Sequence, residues 1–143
     1  MTTVRDARPS DLPALVPLLT DLGYPTPPET VASRLESVTS SGARVLVAES
    51  DGEVRAVAVV HPMVTLHRPA PVAYLSALVV ATNARGLGLG RALVDAAAAL
   101  GAQWGCGFLE LTSNDRRVDA HRFYTSLGFV SESRKFRRPI APG

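Results

Sequence analysis

The feature that most constrains the fold is an apolar run, AYLSALVVA, that leads directly into a glycine-rich stretch, NARGLGLGRALVDAAAAL. A near-continuous apolar strand is typical of a sheet interior that is covered on both faces. The helix formers after the glycines place Leu93, Ala96, Ala97 and Leu100 on one face. Glycines before a helix leave backbone N–H groups open to an anion at the positive end of the helix dipole. The segment therefore predicts a central strand, an anion-binding turn and a helix packed on the sheet.

The other segments complete a mixed α/β pattern. A short strand precedes two helices, the first ending near Gly23 and the second beginning at Pro27 or Pro28. The Asp-Gly of SDGE predicts a hairpin between ARVLVAES and EVRAVAVVHPM. GFLELTS is a further strand, NDRRVDAHRFYTSLG is a helix ending at Gly128, and FVSES with KFRRPI predicts a closing hairpin. The order β-α-α-β-β-β-α-β-α-β-β indicates one domain, residues 1–143, with helices packed on a mixed sheet.

Composition excludes several classes of function. The chain has 143 residues, 46% of them hydrophobic, so it can bury a core. A net charge of +2 and a pI of about 9.1 suit a small anionic ligand but are too weak to favour nucleic acid. Its one cysteine, Cys106, excludes an internal disulfide or a cysteine-based metal cluster. With neither a signal peptide nor a long apolar run, the sequence predicts a cytoplasmic protein that binds neither membrane nor metal.

Two common phosphate-binding motifs fail on the glycine stretch. A P-loop requires a lysine and a hydroxyl residue after its last glycine, and neither follows here. In the dinucleotide fingerprint G-x-G-x-x-G, the third glycine falls on Arg91 when counted from Gly86 and on Leu93 when counted from Gly88. Glu110 supplies an acidic residue at about the expected distance of 20. The unit nevertheless begins past the middle of the chain, which leaves too few residues for the usual six strands.

A third pattern, Gln/Arg-x-x-Gly-x-Gly/Ala, is satisfied by Arg85, Gly88 and Gly90. A second motif, AHRFYTSLGF, matches A-x-x-F/L-Y-x-x-x-G-F at the right separation, with a helix and a strand between. On these two motifs and the element order, nearly the whole chain resembles the GCN5-related N-acetyltransferase (GNAT) family. The resemblance implies an α/β fold with a central mixed sheet of six to seven strands flanked by about four helices. It also implies acetyl-CoA as the acyl donor.

The resemblance implies which residues hold the cofactor. The glycine turn wraps the pyrophosphate, and the pantetheine arm lies along LSALVV, from which the following strand splays away. Relatives often carry an asparagine where this chain has Arg117, while Asn114 also suits a helix cap. The implied cofactor-binding residues are Leu78, Val79, Val80, Arg85, Gly86, Leu87, Gly88, Gly90, Arg91, Asn114 and Arg117.

The same resemblance aligns Tyr124 with the family's general acid, which protonates the leaving thiolate. Without the resemblance, Tyr124 would be interpreted as a core tyrosine on an amphipathic helix. The general base is less defined, because Ser76 stands where many relatives carry a glutamate. Glu110 on the neighbouring strand is the predicted substitute, or else a carboxylate paired with an arginine. His61 and His67 are further candidates for the base.

The acceptor is predicted to be a small amine. In this family the acceptor site forms from the first two helices, their loop and the last hairpin, which here implicates Asp21, Tyr24 and Glu29 together with Ser76. The segment LGYP and the tyrosine helix are similar to the subgroup of aminoglycoside 6′-N-acetyltransferases and aminoalkylphosphonate acetyltransferases. The sequence therefore predicts direct acetyl transfer to a primary amine. A non-catalytic acyl-CoA-binding or regulatory module is the alternative suggested by Ser76, and a homodimer is expected only by analogy with small relatives.

Overall fold

The computed structural model describes residues 1–113 and 118–141. Contacts divide the chain into two units, Met1–Leu111 and Thr112–Gly143. In the described part of the first unit, the strands are β1 (Thr2–Asp6), β2 (Arg44–Ser50), β3 (Glu53–Met63), β4 (Val72–Val80) and β5 (Phe108–Leu111). Its α-helices are α1 (Leu12–Leu22), α2 (Pro28–Ser40) and α3 (Leu89–Gln103), with 3₁₀ turns at Pro9–Asp11 and Thr82–Ala84. The described helix of the second unit is α4 (Val118–Ser126).

The strands form one mixed sheet in the order β1-β2-β3-β4-β5. The first three pairs are antiparallel, whereas β4 and β5 are parallel. The tight turn between β2 and β3 has positive φ at Asp51 (53°) and Gly52 (80°), as a hairpin whose twist matches its strands requires. Parallel strands need a crossover, and α3 provides the one between β4 and β5. The predicted hairpin is confirmed, and so is the predicted order of strand, helix and strand around the glycine stretch.

Helices cover the two faces of the sheet. On one face, Leu15 and Leu18 of α1 and Val31 of α2 pack in a core with Val57 and Val79 of the central strands. On the other face lies α3, which approaches the sheet closely at Gly101, where an added Cβ would stand 3.0 Å from Ala73 Cβ. Because neighbouring residues of a strand point to opposite faces, the register assigns each β3 and β4 side chain to the α1–α2 face or to the α3 face.

The prediction of six to seven strands is wrong for the described residues, which contain five. The predicted closing hairpin of FVSES and KFRRPI is not formed, since residues 129–141 contain no strand. Between Val130 and Pro139 the chain has one apolar side chain, Phe136, among serines and charged residues. A strand is stabilised mainly by an apolar row on one face, and this segment does not provide one.

The second unit is described by its helix and the turn that ends it. At Gly128 the backbone has a φ of 91°, and the Phe129 and Gly128 N–H groups donate to the carbonyls of Tyr124 and Thr125 at 3.1 Å. This Schellman motif ends α4 where the sequence predicts. The Tyr124 ring lies edge-on to Phe123 and Phe129, with centroid distances of 5.5 and 5.8 Å. Aromatic contacts on both sides limit the rotation of the tyrosine ring.

Candidate functional site

The glycine turn forms an open cradle of backbone N–H groups. After β4, the Ala81 N–H donates to the Arg55 carbonyl at 2.7 Å, and a 3₁₀ turn follows. Gly86 and Gly88 then adopt left-handed conformations, with φ of 83° and 81°. Helix α3 starts directly after Gly88, whose carbonyl accepts from the Ala92 N–H at 3.0 Å. Because the first N–H groups of a helix have no carbonyl one turn earlier, this end of α3 can receive an anion.

Side chains around the turn divide into anchors and exposed groups. Leu89 is 1% exposed and fixes the first turn of α3 against the core, and Gly90 is buried beside it. Leu87, which is 58% exposed, and the two arginines Arg85 and Arg91 lie on the solvent side. The turn is therefore held by its apolar residues while its backbone and two positive charges stay accessible.

Just before the glycine turn, the last part of β4 has no strand partner on the β5 side among the described residues. The parallel ladder runs from Val72–Phe108 to Leu75–Leu111, where β5 ends. Strand β4 continues to Val80, so the predicted cofactor residues Leu78, Val79 and Val80 lie beyond the last β5 partner. Such an edge can pair with an extended chain as an added strand would.

Ser76 is the extra residue of a β-bulge at the point where the ladder ends. Val59 faces Ala77 and Val60 faces Leu75, so Ser76 has no register partner on β3. A bulge of this kind re-aims side chains and is common next to active sites. Here it places Ser76 and Ala77 on the same face of the sheet, the α1–α2 face, because Ala77 pairs with Val59 of that core.

His61 is hydrogen-bonded to Ser76. The His61 Nε2 atom lies 2.7 Å from Ser76 Oγ, and the His61 ring lies 6.4 Å from the Tyr74 ring, centroid to centroid. Partial burial lowers the pKa of His61 below its ordinary value, because desolvation disfavours the charged imidazolium. Burial therefore favours the neutral imidazole, and in the tautomer with its proton on Nδ1 the Nε2 atom accepts the hydrogen bond of the serine hydroxyl.

Glu110 forms an ion pair with Arg68 from the loop between β3 and β4. The Arg68 Nη1 atom lies 2.9 Å from Glu110 Oε2, and the two side chains are 39% and 44% exposed. Glu110 faces Tyr74 in the ladder, and Tyr74 faces His61, so all three share the α1–α2 face. The arginine partner that the sequence left unnamed is Arg68, 42 residues away. Neither Arg68 nor Tyr74 follows from a sequence motif.

The remaining predicted residues lie elsewhere. Tyr24 follows α1, is 67% exposed, and donates its N–H to the Leu19 carbonyl. Asp21 on α1 and Glu29 in the first turn of α2 are exposed. Tyr124 belongs to the second unit. The predicted cofactor residues Asn114 and Arg117 lie outside the described residues.

A cavity of about 210 Å³ lies at the other end of α3, far from the glycine turn. The described residues that line it include Ala98, Gly101 and Cys106 and have no charged side chain. It therefore offers nothing to neutralise an anionic ligand. None of the described helices is long and apolar enough to cross a membrane, and no group of three potential metal ligands occurs among the residues that the structure describes.

A family model of the acetyltransferase (GNAT) family matches residues 12–129. The chain belongs to the GNAT family. This GNAT protein is 33% identical over 126 residues to the uncharacterized N-acetyltransferase YhdJ of Bacillus subtilis (strain 168), covering 87% of this chain and 88% of that one. It is 32% identical over 146 residues to the aminoglycoside N(6′)-acetyltransferase type 1 of Stenotrophomonas maltophilia, covering 98% and 95%. The predicted family and enzyme class, N-acetyltransferase, are confirmed.

The fold of this GNAT protein is shared with solved structures. One is the structure of AAC(6′)-Iy in complex with the bisubstrate analog CoA-S-monomethyl-acetylneamine. It superimposes with a TM-score of 0.85, covers 99% of both chains and is 19% identical in sequence. The mixed α/β GNAT fold is thus confirmed, with the strand count corrected above. GNAT proteins use acetyl-CoA as the acetyl donor, which makes the glycine turn the place to test for coenzyme A binding.

Proposed function

We propose that this GNAT protein transfers the acetyl group of acetyl-CoA to a primary amine of a small molecule by direct attack, with both molecules bound. The observation that carries the proposal is the glycine turn beside the open edge of β4. Two left-handed glycines, the N-terminus of α3 and two exposed arginines follow the last part of β4, which has no β5 partner in the described part of the chain. Phosphate groups and an extended amide-containing arm are the ligand chemistry that this arrangement accepts.

The residues fit the cofactor in two parts. Backbone N–H groups from Gly86 to Arg91 would hold the pyrophosphate, with Arg85 and Arg91 adding positive charge. Backbone groups of Leu78 and Val80 would pair with the pantetheine arm. Asn114 and Arg117 remain predicted contacts. Acetyl-CoA supplies an activated thioester, and the role of these residues is to orient its acetyl end beside the bulge at Ser76.

Two side chains are proposed for proton transfer. Tyr124 holds a proton for the leaving sulfur, which departs as a base and needs one proton. Its ring is fixed between Phe123 and Phe129, which suits a group that must donate in one direction. Glu110 is the predicted carboxylate base, and its Oε2 atom lies 2.9 Å from Arg68 Nη1 in an ion pair.

The proposed acceptor is a small cationic amine. One relative that is 32% identical is named as an aminoglycoside acetyltransferase, which supports a small polar acceptor. Exposed Asp21 and Glu29 provide negative charge for a cation, the exposed ring of Tyr24 can form a wall of the site, and Ser76 is a further contact. All four are proposed acceptor contacts.

The test is a screen of amines in a thiol-release assay with acetyl-CoA, covering aminoglycosides, polyamines, amino acids and peptides. We expect turnover with at least one small amine. Tight coenzyme A binding without any acceptor would instead support the alternative, a non-catalytic acyl-CoA-binding module.

The Tyr124→Phe variant tests the proposed acid. Removing one hydroxyl keeps the aromatic contacts of the ring, so the fold should be retained while kcat falls by about 100-fold. Steady-state kinetics with the accepted amine measure kcat, and thermal unfolding measured in parallel checks the fold. Phe123→Tyr is the control, because it changes the polarity of the same pair of rings but leaves the Tyr124 hydroxyl in place. Full activity of Tyr124→Phe would remove Tyr124 from the mechanism.

A further inference from the structure

We propose that Ser76 and His61 form a proton relay for the acceptor amine, in which the Ser76 hydroxyl contacts the attacking nitrogen and His61 receives the proton. The proposal rests on the proposed acetyl transfer, and it assigns the base of that site to His61 in place of Glu110. Many relatives are expected to carry a glutamate at the position of Ser76 on the central strand. In this chain the serine at that position would pass the proton to His61 on the adjacent strand. Ser76 is the catalytic residue, and His61 acts through it.

The geometry of the pair is that of a hydroxyl and its base. The 2.7 Å separation of His61 Nε2 and Ser76 Oγ is within the range in which a base accepts a hydroxyl proton. The bulge removes Ser76 from the register with β3 and turns its side chain to the face that His61 shares. Because Ser76 is exposed and is the first β4 residue after the β5 ladder, its hydroxyl is accessible beside the open edge.

The surroundings keep His61 in the form that a base requires. Desolvation lowers the pKa of His61, so the ring enters the reaction neutral, and the relay requires the tautomer that carries its proton on Nδ1. The groups that face it on the neighbouring strands are the Tyr74 ring and, across Tyr74, Glu110. The Glu110 carboxylate is itself ion-paired with Arg68 at 2.9 Å.

The proton balance closes with groups on this chain. The acceptor nitrogen bonds to the acetyl carbon, and the carbon–sulfur bond of the thioester breaks. The nitrogen loses one proton to Ser76 Oγ while the Ser76 hydroxyl proton moves to His61 Nε2. The departing sulfur takes its proton from Tyr124. Solvent exchange then returns His61 and Tyr124 to their starting forms. No oxidant, metal or covalent enzyme intermediate is required.

Three variants test the relay by kinetics. His61→Gln retains a hydrogen-bonding group near the position of Nε2 but cannot take a proton, and Ser76→Ala removes the relay oxygen. We expect each to lower kcat/KM by about 100-fold, and the double variant to lose little more, since both act in one path. Met63→Ala, on the same strand and face with its side chain 41% exposed, controls for disturbance of the strand end. It should remain within about twofold of the unmodified protein.

The pH profile separates proton transfer from a structural role. In the unmodified enzyme kcat/KM should rise with pH through an ionisation below about 6.5, because His61 must be neutral. His61→Gln should lose this limb and keep the one at higher pH that belongs to the acceptor ammonium. If His61→Gln kept the low-pH limb of the kcat/KM profile, the relay would be overturned. If only Glu110→Gln lost that limb, the base would be Glu110.

A measurement without turnover separates failure of the relay from failure of the proposed function. In ¹⁵N-histidine NMR of the full chain, the His61 resonance, assigned by its absence in His61→Gln, should show the Nδ1–H tautomer and titrate below the ordinary histidine value. Ser76→Ala should shift its Nε2 signal. An Nε2–H tautomer would refute the relay even in an active enzyme. Acetylation of Ser76 by acetyl-CoA alone, detected by mass spectrometry, would also refute it by making Ser76 the nucleophile.

Discussion

At the scale of single residues, one ion-pair cluster fixes the start of the chain to the sheet. The Arg5 guanidinium donates to both carboxylate oxygens of Asp11 at 2.8 Å and to Glu49 at 2.7–2.8 Å. Asp11 also accepts from the Arg8 N–H at 2.7 Å and is 7% exposed. The cluster therefore joins β1, β2 and the turn that leads into α1. Bidentate arginine–carboxylate pairs are strongest in such shielded positions.

Asp11→Asn should lower Tm by several degrees, because the shielded Arg5 guanidinium loses one of its two charged partners and keeps only Glu49. Asp6→Asn is the matched control. Asp6 makes a bidentate pair with Arg44 at 2.6 Å, but its side chain is 54% exposed, so its loss should cost much less. Thermal unfolding at pH 7 measures both. Equal losses would show that shielding does not decide the strength of these pairs.

The pH dependence of stability gives a second prediction for Asp11. Hydrogen bonds from Arg5 hold the pKa of this carboxyl below its ordinary range in the folded protein. The unfolded chain therefore binds its proton first as the pH falls, so the stabilisation is complete above about pH 4 and is lost below it. Denaturant titrations between pH 3 and pH 7 should show a steeper acid loss for the unmodified protein than for Asp11→Asn. Parallel curves would contradict this assignment.

At the scale of elements, sequence patterns located most strands and helices but not the features that combine them. Gly23 and Gly128 end their helices as predicted, because a left-handed cap is a local property of the chain. The bulge at Ser76 has no local signature, since it depends on the register between two strands. The Ser76–His61 and Glu110–Arg68 contacts join residues 15 and 42 positions apart, which no periodicity encodes.

The left-handed conformation of the glycine turn gives a prediction for coenzyme A affinity. Gly88→Ala forces a side chain into a φ of 81°, at a cost of roughly 1–2 kcal/mol, and disturbs the cradle. We expect a weaker Kd for coenzyme A by calorimetry. Gly42→Ala is the control, because Gly42 has a φ of 96° with equal space but lies after α2. Both should lose stability, and only Gly88→Ala should lose affinity. Equal affinity for coenzyme A in the two variants would show that the glycine turn does not bind the cofactor.

At the scale of the whole molecule, charge predicts how ionic strength acts. The net charge is +2, and the exposed Arg85 and Arg91 concentrate positive charge near the glycine turn. Screening shortens from about 30 Å at 0.01 M salt to about 3 Å at 1 M. We therefore expect kcat/KM for acetyl-CoA to fall over this range. The double variant Arg85→Gln, Arg91→Gln should have a lower kcat/KM at low salt, and its kcat/KM should change less as the salt concentration rises. The same salt dependence in both proteins would exclude these arginines from cofactor capture.

The bulge at Ser76 also has a consequence for how this sheet can be altered. A residue without a partner across the ladder can be exchanged without re-pairing its neighbours, and its exposed side chain is not part of the core. The paired residues of the sheet maintain the fold, whereas the side chain at position 76 can change without altering that pairing. Substituting this one site with acidic, neutral or basic residues would yield a series of proteins with the same scaffold and different proton acceptors.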